Sequence, residues 1–246
     1  GQIVPDTTAV VTFSLSGSQE VPAVDTMAMG SGYALFDTTN NNVSLVAVTT
    51  IDNATMAHIH TGFAGVNGPV LEALVESEET AGVWMTNGTV TLDEATATQL
   101  LSGGHYVNVH TAAFTGGEIR GQITPDNIEV YGIIANGLQE VPAVTTTASG
   151  AGAFTLNTST GALTGSVTIT GMTATMAHIH EGEAGVNGAV LLGLSAGTDG
   201  MWSVPANTTL TAEQMDIMAD SGLYTNFHSD AFPSGEIRGQ ITLGFD

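Results

Sequence analysis

The 246-residue sequence predicts an all-β protein of two tandem Greek-key β-sandwich or barrel domains, each with one short helical insertion. Three observations lead there. The chain repeats itself at a nearly constant offset. Its apolar residues alternate with period two over short runs. Thirty-one glycines, abundant Thr and Val, and few long aliphatic helix formers favour strands joined by tight turns.

The repeat sets the domain organisation. Gln19-Glu20-Val21-Pro22-Ala23 recurs as Gln139-Glu140-Val141-Pro142-Ala143, and residues 54–60 recur letter for letter at 174–180. Gly65-Val66-Asn67-Gly68 recurs as Gly185-Val186-Asn187-Gly188, all at an offset of 120. Trp84 then matches Trp202, and residues 117–124 match 235–242, at an offset of 118. One two-residue deletion between Leu191 and Trp202 explains the change. The expected divisions are a first domain at 1–124, a linker at 125–127 and a second domain at 128–246. A length of 246 residues with 42% hydrophobic content is enough for two cores of that size.

Within one repeat the elements follow in order. Val11, Phe13 and Leu15 alternate with Thr12 and Ser14, and Val43, Leu45 and Ala47 take one side of the next clear run. Thr91-Leu92-Asp93-Glu94 reads as a helix cap with early acids, leading into Ala95 to Leu101, and Gly103-Gly104 ends that helix. Thr211 and Gly222 bound its counterpart. Residues 106–110 and 118–123 then alternate cleanly as the last strands, with Gly, Asn, Asp and Pro as punctuation.

Charge excludes whole classes of partner. Arg120 and Arg238 are the only arginines, there is no lysine, and 24 acids stand against them, a net charge of −22 with histidine neutral. Such a surface repels phosphate, so nucleic acid is not a partner. It attracts cations instead. There is no cysteine, which removes disulfides, thiol catalysis and thiolate ligands. No run approaches the roughly 20 apolar residues of a membrane span. The absence of Lys and the Thr/Gly/Asn bias suggest a secreted or cell-surface protein. Gly1-Gln2-Ile3-Val4-Pro5 has no leader character, so an exported protein is expected to carry this sequence in its mature form.

The chemistry rests on histidine. Residues two apart on a strand share a face, so His58 and His60 project together while Ile59 points inward. Tyr106, Asn108 and His110 share a face of the later strand. Two imidazoles from one strand and a third from another suit copper or zinc. The second repeat keeps the set as His178, His180 and His228. His105 stands at odd spacing and becomes Leu223, so it is left out. With no cysteine, and no methionine expected at matching spacing, a ligand set of nitrogen, with or without oxygen, favours Cu(II) or Zn(II) over Cu(I). Glu118 and Arg120, with Glu236 and Arg238, lie on one face of the last strand. They are expected to form a structural ion pair, or to stand behind the ligands and hold an anion beside the metal.

These cassettes resemble the CHRD domain, a module named from chordin and found in many exported bacterial and archaeal proteins. The likeness covers nearly the whole chain twice, and it implies an extracellular β-rich module more firmly than any activity. The His-x-His strand, the later His and the Gly-rich last strand with its Arg are also similar, more weakly, to copper–zinc superoxide dismutases. No nucleophile elbow, His-Glu-x-x-His helix or calcium loop occurs. Three readings follow. The first is a secreted metal-binding protein whose partners are metal ions. The second is a structural, filament or matrix subunit that self-associates or joins other extracellular proteins through β edges such as residues 7–15. The third is a copper-dependent dismutase-like enzyme. A purely binding or structural role is favoured over catalysis.

Overall fold

A computed structural model describes residues 7–244; the segment Gly1-Gln2-Ile3-Val4-Pro5, on which the expectation of a mature exported form was based, lies outside these described residues. The chain divides into two compact units, residues 1–128 and 129–246. Both are all-β, nearly closed barrels with one helix each.

In the first unit β1 (Thr8–Ser16), β2 (Met29–Asp37) and β3 (Asn42–Thr49) form an antiparallel meander. Their alternation buries Val11, Phe13, Leu15, Ala34, Phe36, Val43, Leu45 and Ala47 on one face. The chain then crosses to β4 (Ala54–Thr61), which pairs with β5 (Val70–Ala73). β6 (Val75–Glu76) pairs with β7 (Val83–Met85), and β7 and β8 (Val90–Thr91) both pair with β3. α1 (Glu94–Leu101) is capped by the Asp93 carboxylate, which accepts from the Thr96 N–H at 2.7 Å. β9 (His105–Thr111) and β10 (Ile119–Gln122) follow, and β10 lies between β9 and β1. The return of the last strand beside the first of a meander is the Greek-key arrangement.

The sheet order is β5-β4-β9-β10-β1-β2-β3-β7-β6. Only Leu74 separates β5 from β6, so one bent segment serves both ends of that order. Leu74 is buried, and its N–H donates to the Ala57 carbonyl at 2.9 Å. The bend nearly closes the sheet, and closure removes exposed edges. β1 is therefore not the edge strand that the assembly reading assumed for residues 7–15. It lies inside the order, with β2 along its whole length.

The second unit repeats the plan. Its strands are β11 (Ile128–Asn136), β12 (Ser149–Asn157), β13 (Leu163–Thr170), β14 (Met176–Glu181), β15 (Val190–Gly193), β16 (Ser195–Ala196), β17 (Met201–Ser203), β18 (Leu223–His228) and β19 (Ile237–Leu243). They run in the order β15-β14-β18-β19-β11-β12-β13-β17-β16. α2 (Ala212–Ala219) opens with a full capping box between Thr211 and Gln214. Among the described residues no helix is long and apolar enough to cross a membrane.

Candidate metal centre

β4 and β9 pair so that Met56 faces His110, His58 faces Asn108, and His60 faces Tyr106. Alternation sends Ala57, Ile59, Val107 and Val109 into the core, and all four are buried. The other face collects the histidines. His58, His60 and His110 each offer a ring nitrogen within 4.8 Å of the others, and so do His178, His180 and His228.

Backbone carbonyls decide which nitrogens are free. His60 Nδ1 lies 2.9 Å from the Gly68 carbonyl, and His110 Nδ1 lies 3.1 Å from the Thr115 carbonyl. A carbonyl only accepts, so both Nδ1 atoms carry the proton and both Nε2 atoms present lone pairs. His60 Nε2 is buried and has no hydrogen-bond partner. His110 Nε2 is 3.1 Å from His58 Nδ1. Two nitrogens at that separation, each about 2.05 Å from one ion, subtend roughly 100° there, between square and tetrahedral angles. The second unit matches in each respect. His178 Nδ1 lies 3.1 Å from His228 Nε2, His180 and His228 donate to the Gly188 and Pro233 carbonyls, and His180 Nε2 is an orphan. The donor set, a buried unpartnered nitrogen beside two convergent ones, fits a borderline transition-metal ion.

Burial holds His60, His110, His180 and His228 below the ordinary histidine pKa, and neighbouring rings of the cluster act in the same direction. His58 is lowered by burial too. Neutral imidazole is the form that ligates.

Behind the histidines stands a stack. The Tyr106 ring lies on His60 with centroids 4.9 Å apart and planes 10° apart. Its other face carries the Arg120 guanidinium at 3.4 Å. Arg120 donates to the Phe63 carbonyl at 2.9 Å and to Gln122 Oε1 at 3.1 Å. Gln122 donates to the Gly62 and Gly103 carbonyls, so the last strand ties down the loop that carries Gly68. Gly68 is required at its place because a Cβ there would meet the Thr61 carbonyl oxygen at 1.6 Å. Its N–H donates to the Tyr106 hydroxyl at 3.1 Å.

The Gln19-Glu20-Val21 cassette closes the other side. Gln19 Oε1 accepts from the Gln122 N–H, the Val21 carbonyl accepts from Asn67 Nδ2, and Glu20 Oε2 accepts from Asn108 Nδ2. Burial pushes the Glu20 carboxyl up to about 7, against the pull of the nearby Arg120 charge. A Cβ on Gly117 would strike the side chains of Asn108 and Glu20, and its φ of +131° suits glycine.

Glu118 and Arg120 take separate partners rather than each other. Glu118 accepts from the Thr26 and Thr111 hydroxyls at 2.9 and 2.7 Å. Glu236 accepts from Thr146 and Ser229, while Arg238 covers Tyr224 at 3.5 Å. The expected ion pair is thus replaced by hydroxyl contacts, and the arginines belong to the stacks behind His60 and His180. His105 is fully buried on the core face, away from the cluster, and its two nitrogens lack partners.

Sequence reasoning missed Glu20, Asn67 and Gln122, although each sits in a cassette that recurs in the second repeat. The recurrence was the available signal. Where the second repeat departs, at Leu223, Thr225, Phe227 and Ser229, every change falls on the core-side alternation. Tyr224, Asn226 and His228, on the site side, are unchanged.

Fold and site define a class: tandem, nearly closed β barrels, each with a three-histidine cluster backed by a Tyr–Arg stack. The family model of the CHRD domain matches residues 11–123 and again 131–241, so the chain belongs to the CHRD domain family, in two tandem copies. No curated protein matches the chain. No solved structure matches it either.

Proposed function

We propose that this is an extracellular tandem CHRD-domain protein that binds one transition-metal ion per domain, copper(II) ahead of zinc(II). The ligands would be His58 Nδ1, His60 Nε2 and His110 Nε2, and in the second domain His178 Nδ1, His180 Nε2 and His228 Nε2. One observation carries the reading: a buried, unpartnered His60 Nε2 stands beside a convergent His58–His110 nitrogen pair, and the arrangement recurs in the second unit. The bound ion would supply a Lewis-acidic, open coordination position. The chain's own residues hold the rings. Gly68 and Thr115 fix the tautomers, and Tyr106 fixes the plane of His60. The extracellular placement is supported by the family match and by a lysine-free composition rich in Thr, Gly and Asn.

A dismutase-like reading needs a cationic group that draws an anion to the metal. Arg120 and Arg238 are each 1% exposed, sit behind a tyrosine ring and donate to the Phe63 and Glu183 carbonyls. With both buried, no lysine or arginine side chain offsets the acids at the surface. Binding is therefore better supported than turnover of an anion.

Metal analysis of tag-free protein tests the proposal. The wild type should retain copper or zinc near two ions per chain after dialysis, and the His60→Ala, His180→Ala double variant should lose most of it. Equal content in the two proteins would contradict the proposal.

A further inference from the structure

The ligand face of β4 begins two residues before His58, at Met56. Residues 56, 58 and 60 alternate with buried Ala57 and Ile59, so the thioether shares the face of the two histidines. Met56 is also the direct cross-strand partner of His110. Directly opposed residues bring their Cβ atoms to about 5 Å, within reach of a side chain as long and pliant as methionine. The second unit repeats this, with Met176 opposite His228.

Two further facts separate this pair from ordinary surface residues. The chain has nine methionines, and only Met56 and Met176 occupy the same position in both repeats. The counterparts of Met27, Met29, Met85, Met172, Met201, Met215 and Met218 are Thr147, Ser149, Ser203, Asp52, Val83, Ala97 and Leu100. Core packing does not explain the retention either, because Met56 and Met176 are 46% and 45% exposed. A half-exposed apolar side chain beside a nitrogen cluster costs solvation and gains little burial. A thioether that ligates gives it a chemical reason to be there.

We propose that Met56 and Met176 each add a thioether to the three-histidine cluster, giving both sites affinity for Cu(I) as well as Cu(II). This rests on the metal-binding reading above and extends it. Thioether sulfur is a soft donor that selects Cu(I), whereas an all-imidazole set leans to Cu(II) or Zn(II). Met56 lies at the end of the cluster opposite the His60–Tyr106 stack.

The full chain is loaded with copper, and one portion is reduced with ascorbate. Copper X-ray absorption fine structure and competition against a chromophoric Cu(I) chelator and a Cu(II) chelator are then compared between the wild type and the Met56→Leu, Met176→Leu double variant. Leucine keeps the bulk of a half-exposed strand position and removes only the sulfur. The expected result is a sulfur scatterer in the reduced wild type that the variant lacks. Cu(I) binding should weaken about tenfold or more in the variant, with Cu(II) binding within about twofold of wild type. A reduced wild type without a sulfur scatterer, or equal weakening for both oxidation states, would overturn the methionine assignment alone. A wild type that takes up copper in neither state would overturn the three-histidine reading, and this extension with it.

Discussion

Tyr106 and His60 face each other across the β4–β9 pair with rings stacked at 4.9 Å, and the far face of the tyrosine is closed by Arg120 at 3.4 Å. His60 is thereby backed by two layers, an aromatic ring and a buried cation. The same layers recur behind His180 as Tyr224 and Arg238.

Replacing the tyrosine should loosen the histidine. Tyr106→Leu removes both the stack on His60 and the surface that Arg120 covers, and should lower copper affinity in that domain about 10- to 100-fold. It should also cost roughly 2–4 kcal/mol of stability through lost packing and an uncovered guanidinium. Tyr106→Phe keeps the stack and loses only the hydroxyl that accepts from Gly68, a cost of about 1 kcal/mol. Titration calorimetry on the two variants checks the contrast, which fails if they bind copper alike.

His105 makes the first domain sensitive to acid. Burial lowers its pKa to about 4, below the ordinary value of 6.5. The unfolded chain therefore binds the proton first. Above pH 6.5 the ring is neutral folded and unfolded alike, and stability is lost as pH falls from there through 4, by up to about 3 kcal/mol. His105→Leu, the residue that stands as Leu223 in the second domain, should raise the melting temperature and flatten that limb. Scanning calorimetry between pH 4 and 7 reads it, and an unchanged slope would count against the assignment.

Proton competition at the ligands should follow the same logic. Because burial holds His58, His60 and His110 below the ordinary histidine value, metal affinity in the first domain should be flat above about pH 6.5 and fall below it. Chelator competition across pH gives the curve. An affinity already falling between pH 8 and 7 would show that the rings are more basic than their surroundings imply.

Much of this was legible before any coordinates, because a strand's period of two is exact enough to place His58 and His60 on one face and Ile59 on the other. The twofold recurrence of Tyr106, Asn108 and His110 did the same for β9. Other parts were hidden for physical reasons. The Gly68 and Thr115 carbonyls that set the tautomers are backbone groups, and Pro233 serves as well as Thr115. Glu20 meets Asn108 across 88 residues, a contact that no local pattern encodes. Arg120 looked like a partner for Glu118 because they alternate on one strand, yet tyrosine and carbonyls satisfy it instead. Barrel closure at Leu74 is likewise a tertiary event, since nothing in residues 70–76 marks the point where pairing switches from β4 to β7.

The central claim concerns where six nitrogens point, and anomalous scattering at the copper edge from copper-loaded, tag-free crystals addresses it directly. The account predicts one peak per domain at about 2.0–2.2 Å from His58 Nδ1, His60 Nε2 and His110 Nε2, with its twin at His178, His180 and His228. Copper-soaked crystals with no peak at either cluster, the His60 and His180 rings turned to hydrogen-bond protein atoms through Nε2, would contradict it.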